Sequence, residues 1–138
     1  MKTRLDPVVR FRQQKEDRAL QGLARATEDA GQAHAKLTHA QQQAAHDGRS
    51  CGSAADWAMA EAARERALGE VKRARDQFEK TTSAVEVART AWRMEHRQTE
   101  VVKRVADSRR SDAREAQARR DTRELDELGA MLFWRKPA

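Results

Sequence analysis

The chain has no tyrosine, one cysteine, two prolines and only 4% aromatic residues in its 138. Each shortage excludes something. With few large rings and 36% of residues charged, the chain cannot build a thick three-dimensional core, so its stability has to come from a thin seam between helices. The lone Cys51 cannot close an internal disulfide, and without an apolar leader segment it reads as the thiol of a soluble protein in reducing cytoplasm. No window has the length and apolarity of a transmembrane helix, so membrane contact is expected only through a partner. Gly-rich phosphate loops, HExxH, CxxC and Ser-His-Asp constellations are missing as well. No enzymatic activity and no cofactor is therefore expected. Nor is a metal, because His34 and His39 are five residues apart and fall on different faces of a helix.

Charge is abundant and slightly unbalanced. There are 28 Lys and Arg against 22 Asp and Glu, a net charge of +6, with a pI near 10.1. Such a balance raises nucleic acid as a partner. The signs are interleaved, however, as in Arg64-Glu65-Arg66 and Arg119-Arg120-Asp121, which is the pattern of a solvated helix face. Arg109, Arg110, Arg114, Arg119, Arg120 and Arg123 are separated by Asp112, Glu115 and Asp121, so nucleic-acid binding is the weaker alternative.

The strongest pattern runs from Trp57 to Trp92. Alternating steps of three and four give Trp57, Ala60, Arg64, Ala67, Val71, Ala74, Phe78, Thr81, Val85, Ala88 and Trp92. That spacing keeps one stripe facing a partner helix, the seam of a coiled coil. A matching stripe in the first half reads Ala19, Leu23, Ala26, Ala30, Ala33, Leu37, Ala40 and Ala44. Between Phe11 and Ala19 the residues are polar, which predicts a phase slip or a looser segment. Asp6-Pro7 is a helix start, and the Gly, Ser and Asp of DGRSCGSAA mark a turn after which Ser53 or Asp56 can cap a second helix.

The expected fold is therefore all-α: an antiparallel two-helix coiled-coil hairpin with a longer second helix. It forms a single domain over 1–138, with helix one about 5–46, the turn at 47–55 and helix two about 56–131. An intermolecular coiled coil is the rival. Folding at the turn pairs positions whose numbers sum to about 102. Phe78 would then face Leu23 and Ala24, Val71 would face Ala30 and Gly31, Trp57 would face Ala44, and Trp92 would fall near Val9 and Phe11. The seam residues are Leu23, Ala26, Ala30, Leu37, Trp57, Val71, Phe78, Val85 and Trp92. Helix one is expected to run out opposite residue 97. Beyond it a nearly pure charge-and-Ala stretch leads to Leu125, Leu128, Met131, Leu132, Phe133 and Trp134. Such an unpartnered apolar end usually marks a docking site.

The opening RLDPVVRFRQQKEDRALQGLARA resembles that of FliJ-type proteins, whose short Leu-x-Pro phrase is matched by Leu5, Pro7, Val8, Val9 and Arg10. The resemblance extends to chain length, the Ala-rich first helix, the Gly/Ser turn followed by Trp57, and the charged second helix. It implies a non-enzymatic, cytoplasmic stalk of the bacterial flagellar type III export apparatus, or of its YscO-type injectisome counterpart. The partners it implies are the export ATPase hexamer, the cytoplasmic domain of the export gate and export chaperones, with peripheral association at the inner membrane through that apparatus. Carried over to this sequence, Lys36, Ala40, Ala63 and Ala67 would contact the gate. Leu125, Leu128, Phe133 and Trp134 would contact the ATPase. Family members often carry aromatics on the gate-facing surface, where this chain has Ala and Gln.

Overall fold

The computed structural model describes residues 4–46 and 52–135. The expected turn residues 47–51, Cys51 among them, lie outside the described residues, as do the terminal Lys136 and Pro137. The fold is an all-α hairpin of two helices, α1 (Asp6–Ala45) and α2 (Ala54–Trp134). Ala, Arg, Glu and Gln are strong helix formers, and no proline lies inside either helix beyond the first turn of α1.

Both helix starts have a local cause. The backbone N–H of Val9 donates to the Leu5 carbonyl at 2.9 Å, with Pro7 in the first turn, where its missing N–H costs nothing. At α2, Ser53 and Asp56 cap reciprocally. The Asp56 N–H donates to the Ser53 hydroxyl oxygen at 3.2 Å, while the Ser53 N–H and hydroxyl donate to Asp56 Oδ2 at 2.9 and 2.8 Å. Two of the helix's orphan N–H groups are satisfied by two residues three apart, and the Ser53 hydroxyl adds a third bond between the side chains. These hydrogen bonds to the ionised form hold the Asp56 carboxyl below its ordinary range.

Contacts divide the chain into two compact units, residues 16–95 and residues 1–15 with 96–138. In the first unit the covered stripe of α1 is Ala19, Leu23, Ala26, Ala30, Ala33, Leu37, Ala40 and Ala44, with Ala33 and Leu37 buried and the rest half-buried. On α2 the covered stripe is Ala67, Val71, Ala74, Phe78, Thr81, Val85, Ala88 and Trp92. The helices run antiparallel, but their alignment differs from the one expected. The rings of His34 and Phe78 meet, with centroids 5.4 Å apart and planes tilted by 59°. A groove lined by Ala35, Lys36, His39 and Ala40 of α1 and Glu70 and Ala74 of α2 extends the same alignment. Facing positions therefore sum to about 111 rather than 102. Phe78 is level with Ala33 and His34 instead of Leu23 and Ala24, Val71 with Ala40, and Trp92 with Ala19. Trp57 lies past the last turn of α1 and is 55% exposed. The physical reason is that a turn of this length ties two helix ends without setting their stagger.

In the other unit the 3-4 stripe continues where the sequence pattern turns polar. The half-buried positions Leu5, Val9 and Arg12 keep the 3-4 step, and Glu16, in the neighbouring unit, extends it to Ala19, so no phase slip occurs. On α2 the stripe passes Thr99, Val102 and Ala106, and Thr99 and Ala106 are 0% and 1% exposed. Helix α1 does not run out opposite residue 97. The Arg12 guanidinium donates to Gln98 Oε1, the Thr99 hydroxyl donates to the Arg12 carbonyl at 3.3 Å, and Arg110 Nη2 bonds Asp6 Oδ1 at 2.8 Å. Polar residues at seam positions interrupt the hydrophobic pattern, yet a seam tolerates them when they hydrogen-bond across it.

Candidate partner-binding surfaces

Every described residue after Ala113 is exposed. Within this stretch the apolar residues cluster at the end: Leu125, Leu128, Met131, Leu132, Phe133 and Trp134. Phe133 and Trp134 are 74% and 85% exposed and touch edge-to-face, with ring centroids 6.4 Å apart. A shallow groove runs along Glu127, Ala130, Met131, Trp134 and Arg135, one face of the helix at steps of three and four. Leu125, Leu128 and Leu132 form a second stripe with the same spacing on another face. A helix end that is apolar on two faces is suited to being surrounded rather than laid on a flat surface.

The second surface is the groove in the unit spanning 16–95. It brings together Lys36 and Ala40, two of the four residues assigned to the gate by resemblance, beside His39, Glu70 and Ala74. Ala63 and Ala67 do not line it. Ala67 belongs to the covered stripe, level with Ala44, and Ala63 is exposed ahead of it. The observed alignment explains the separation, because it places Lys36 and Ala40 opposite residues 70–75 instead of 62–66. Glu70, Ala74 and His39 could have been found from sequence only with the correct register.

The rest of the surface is a lattice of short-range ion pairs. Arg89 meets Glu86 at 2.7 Å, Arg110 meets Asp107 at 3.0 Å, Lys103 meets Glu100 at 3.4 Å and Arg119 meets Glu115 at 3.5 Å, each within one helical turn. Pairs of this kind solubilise a helix and add little to stability. Arg110 is the exception, since it also reaches Asp6 on the other helix, and that hydrogen bond raises its pKa. Among the described residues no group of three or more His, Cys, Asp or Glu is placed to hold a metal ion, and no helix is long and apolar enough to cross a membrane.

These features define a class before they define a family: a helical coiled-coil protein with charged faces and an exposed apolar end on α2. The family profile described as flagellar FliJ protein matches residues 1–138. The chain belongs to the FliJ family, a non-enzymatic component of the flagellar protein export apparatus. No curated protein and no solved structure matches it.

Proposed function

We propose that this protein is the stalk that promotes assembly of the export ATPase ring and links that ring to the export gate and export chaperones, at the cytoplasmic face of the inner membrane. The observation that supports it is the apolar end of α2, exposed on two faces and not covered by α1. A ring-shaped partner can enclose such an end, with Leu125, Leu128, Phe133 and Trp134 as the contacts. The interleaved charges on the faces steer and orient the encounter without fixing its energy. Lys36 and Ala40 in the second groove are the proposed gate contacts, joined there by His39 and Glu70. Ala63 and Ala67 lie outside this groove and are not part of the proposed contact.

The test is ATP hydrolysis by the cognate export ATPase with and without this protein, together with sizing of the ATPase. Stimulated hydrolysis and hexamer formation, both lost in Phe133→Asp/Trp134→Asp, support the reading. No stimulation by the unmodified protein overturns it. Salt-dependent binding to DNA in the same sample set would bring the nucleic-acid reading forward.

A further inference from the structure

The bare end of α2 carries a stripe of its own. Leu125, Leu128 and Leu132 keep the 3-4 step and are 68%, 56% and 68% exposed. The same step reaches back through Asp121 to Ala118 and forward to Arg135. These positions all lie in the exposed stretch beyond Ala113, within the unit of residues 1–15 and 96–138. A stripe with this spacing is the face that one more helix completes, because a helix buries such a face only against another element.

The charges of this stretch point to the helix that completes it. Residues 121–127 carry Asp121, Glu124, Asp126 and Glu127 against Arg123 alone, and the next charged residues are Arg135 and Lys136. A second copy of the chain laid parallel would set acid on acid and base on base. Laid antiparallel, it sets the acidic start of one copy beside the basic end of the other, and the stripe matches itself in reverse. With the two-fold axis between Leu125 and Leu128, each Leu125 is level with Leu128 of the other copy. Asp121 is then level with Leu132 and Ala118 with Arg135. Asp121 and Arg135 of opposite copies stand one turn apart, within reach of a long guanidinium. Other staggers are poorer. A heptad slide one way sets the leucines against Arg114, Ala118 and Asp121. A slide the other way carries Asp121 beyond the last turn of the other copy's α2, which closes at Trp134.

We propose that the end of α2 is a self-association site. Two copies of this chain pair antiparallel through residues 118–135, with Leu125, Leu128 and Leu132 of both at the centre and an Asp121–Arg135 contact at each end. About 27 Å of paired helix, at 1.5 Å per residue, is a small interface, and the dissociation constant is on the order of 10 µM. The dimer covers Leu125 and Leu128, which the stalk reading gives to the ATPase ring. On that reading the paired copies are a reserve form that parts before the ring is engaged. The pairing itself does not rest on that reading.

The experiment is sedimentation velocity of the full chain with Cys51→Ser, from about 2 to about 200 µM, a range that brackets the expected constant. The mass should rise from 15.7 kDa toward twice that value. Leu128→Asp should weaken the dimer by about thirtyfold or more and leave the melting midpoint of the hairpin unchanged, since Leu128 is exposed. Asp121→Arg turns two opposite-charge contacts into like-charge ones and should weaken it about tenfold. Asp121→Arg with Arg135→Asp should recover the dimer to within about threefold. Orientation is read by oxidation of Ala118→Cys mixed with Arg135→Cys, which should give the mixed disulfide in preference to either like-with-like product. A mass that stays at the monomer value throughout overturns the proposal, and because no ATPase is present it leaves the stalk reading to its own assay. A dimer indifferent to Leu128→Asp, a charge exchange that fails to recover what Asp121→Arg lost, or a preference for like-with-like disulfides overturns it equally.

Discussion

The two units of this hairpin use the same spacing for different ends. The covered stripes of residues 16–95 are mostly Ala, Leu, Val and Phe, with Glu16, Thr81 and Glu95 half-buried among them and the His34 ring on Phe78. The other unit places Thr99, Arg12 and an Asp6–Arg110 ion pair across the same kind of seam. An alanine-rich seam adheres without specifying its stagger, because one alanine is as good a partner as the next. A polar layer adds little net energy and penalises every other stagger, because a buried hydroxyl or guanidinium without a partner costs more than a made hydrogen bond returns. The alanine-rich stretch thus adheres, and the polar layer adds a preference of stagger within its own unit.

The comparison breaks most severely if the apolar half is made polar. Phe78→Asp with Val85→Asp puts two carboxylates on the covered stripe and should cost on the order of 4 kcal/mol, enough to abolish the cooperative melt of a thin two-helix seam. Circular dichroism against temperature decides it, and a double variant that keeps its helicity and transition would refute the seam assignment. A milder pair sharpens the same point. Leu37→Ala, at a buried position, should cost about 2 kcal/mol. Val101→Ala removes a side chain that is 61% exposed on the outer flank of α2, and should stay within about 0.5 kcal/mol. Equal losses from the two would mean that burial in this hairpin does not follow the 3-4 stripe.

The start of α2 gives a smaller effect with a pH signature. Ser53→Ala removes half of the reciprocal cap and should cost about 1 kcal/mol. The pH dependence comes from Asp56. Its folded-state pKa is lowered by the Ser53 hydrogen bonds, so the unfolded chain binds its proton more tightly. The cap's contribution is therefore present above the unfolded carboxyl value and is lost as pH falls through the folded one. Melting curves of the unmodified chain and Ser53→Ala should be most separated at neutral pH and draw closer below about pH 4, keeping the part due to the Asp56 N–H bond to the Ser53 hydroxyl. A separation that does not change with pH would remove the hydrogen bond from the Ser53 hydroxyl to the Asp56 carboxylate as a contributor.

Much of this is legible in the sequence. The hairpin, the stripes from Ala19 to Ala44 and from Ala67 to Trp92, the start at Asp6-Pro7 and the exposed apolar end all follow from spacing and caps. The alignment did not. Pairing Phe78 with Leu23 and Ala24 satisfied the large-against-small test as well as the observed pairing does, so that test carried no information on stagger. The polar stretch between Phe11 and Ala19 predicts an interruption because a hydrophobicity pattern does not register a hydrogen bond such as that from Thr99 to the Arg12 carbonyl, made across 87 residues of sequence. The groove suffered the same fate: His39, Glu70 and Ala74 come together only at the observed stagger, and no local signal marks them.

The smallest effect separates the covered part of α2 from its bare end. Gly31 and Gly129 both lie inside helices, and a Cβ added at either meets nothing within 4 Å. Replacing either by alanine favours the helix by about 0.5–1 kcal/mol, through lower backbone entropy in the unfolded chain. The readouts should nevertheless differ. Gly31 is in the unit whose helices melt together, so Gly31→Ala should raise the midpoint by about 3–5 °C. Gly129 is in the stretch of α2 that α1 does not cover, where helix formation is not coupled to packing against a partner. There Gly129→Ala should raise the ellipticity of the folded baseline and leave the midpoint where it was. If it moved the midpoint as far as Gly31→Ala does, the end of α2 would be melting with the rest of the hairpin. Its apolar residues would then be held by contacts within the chain instead of waiting for a partner.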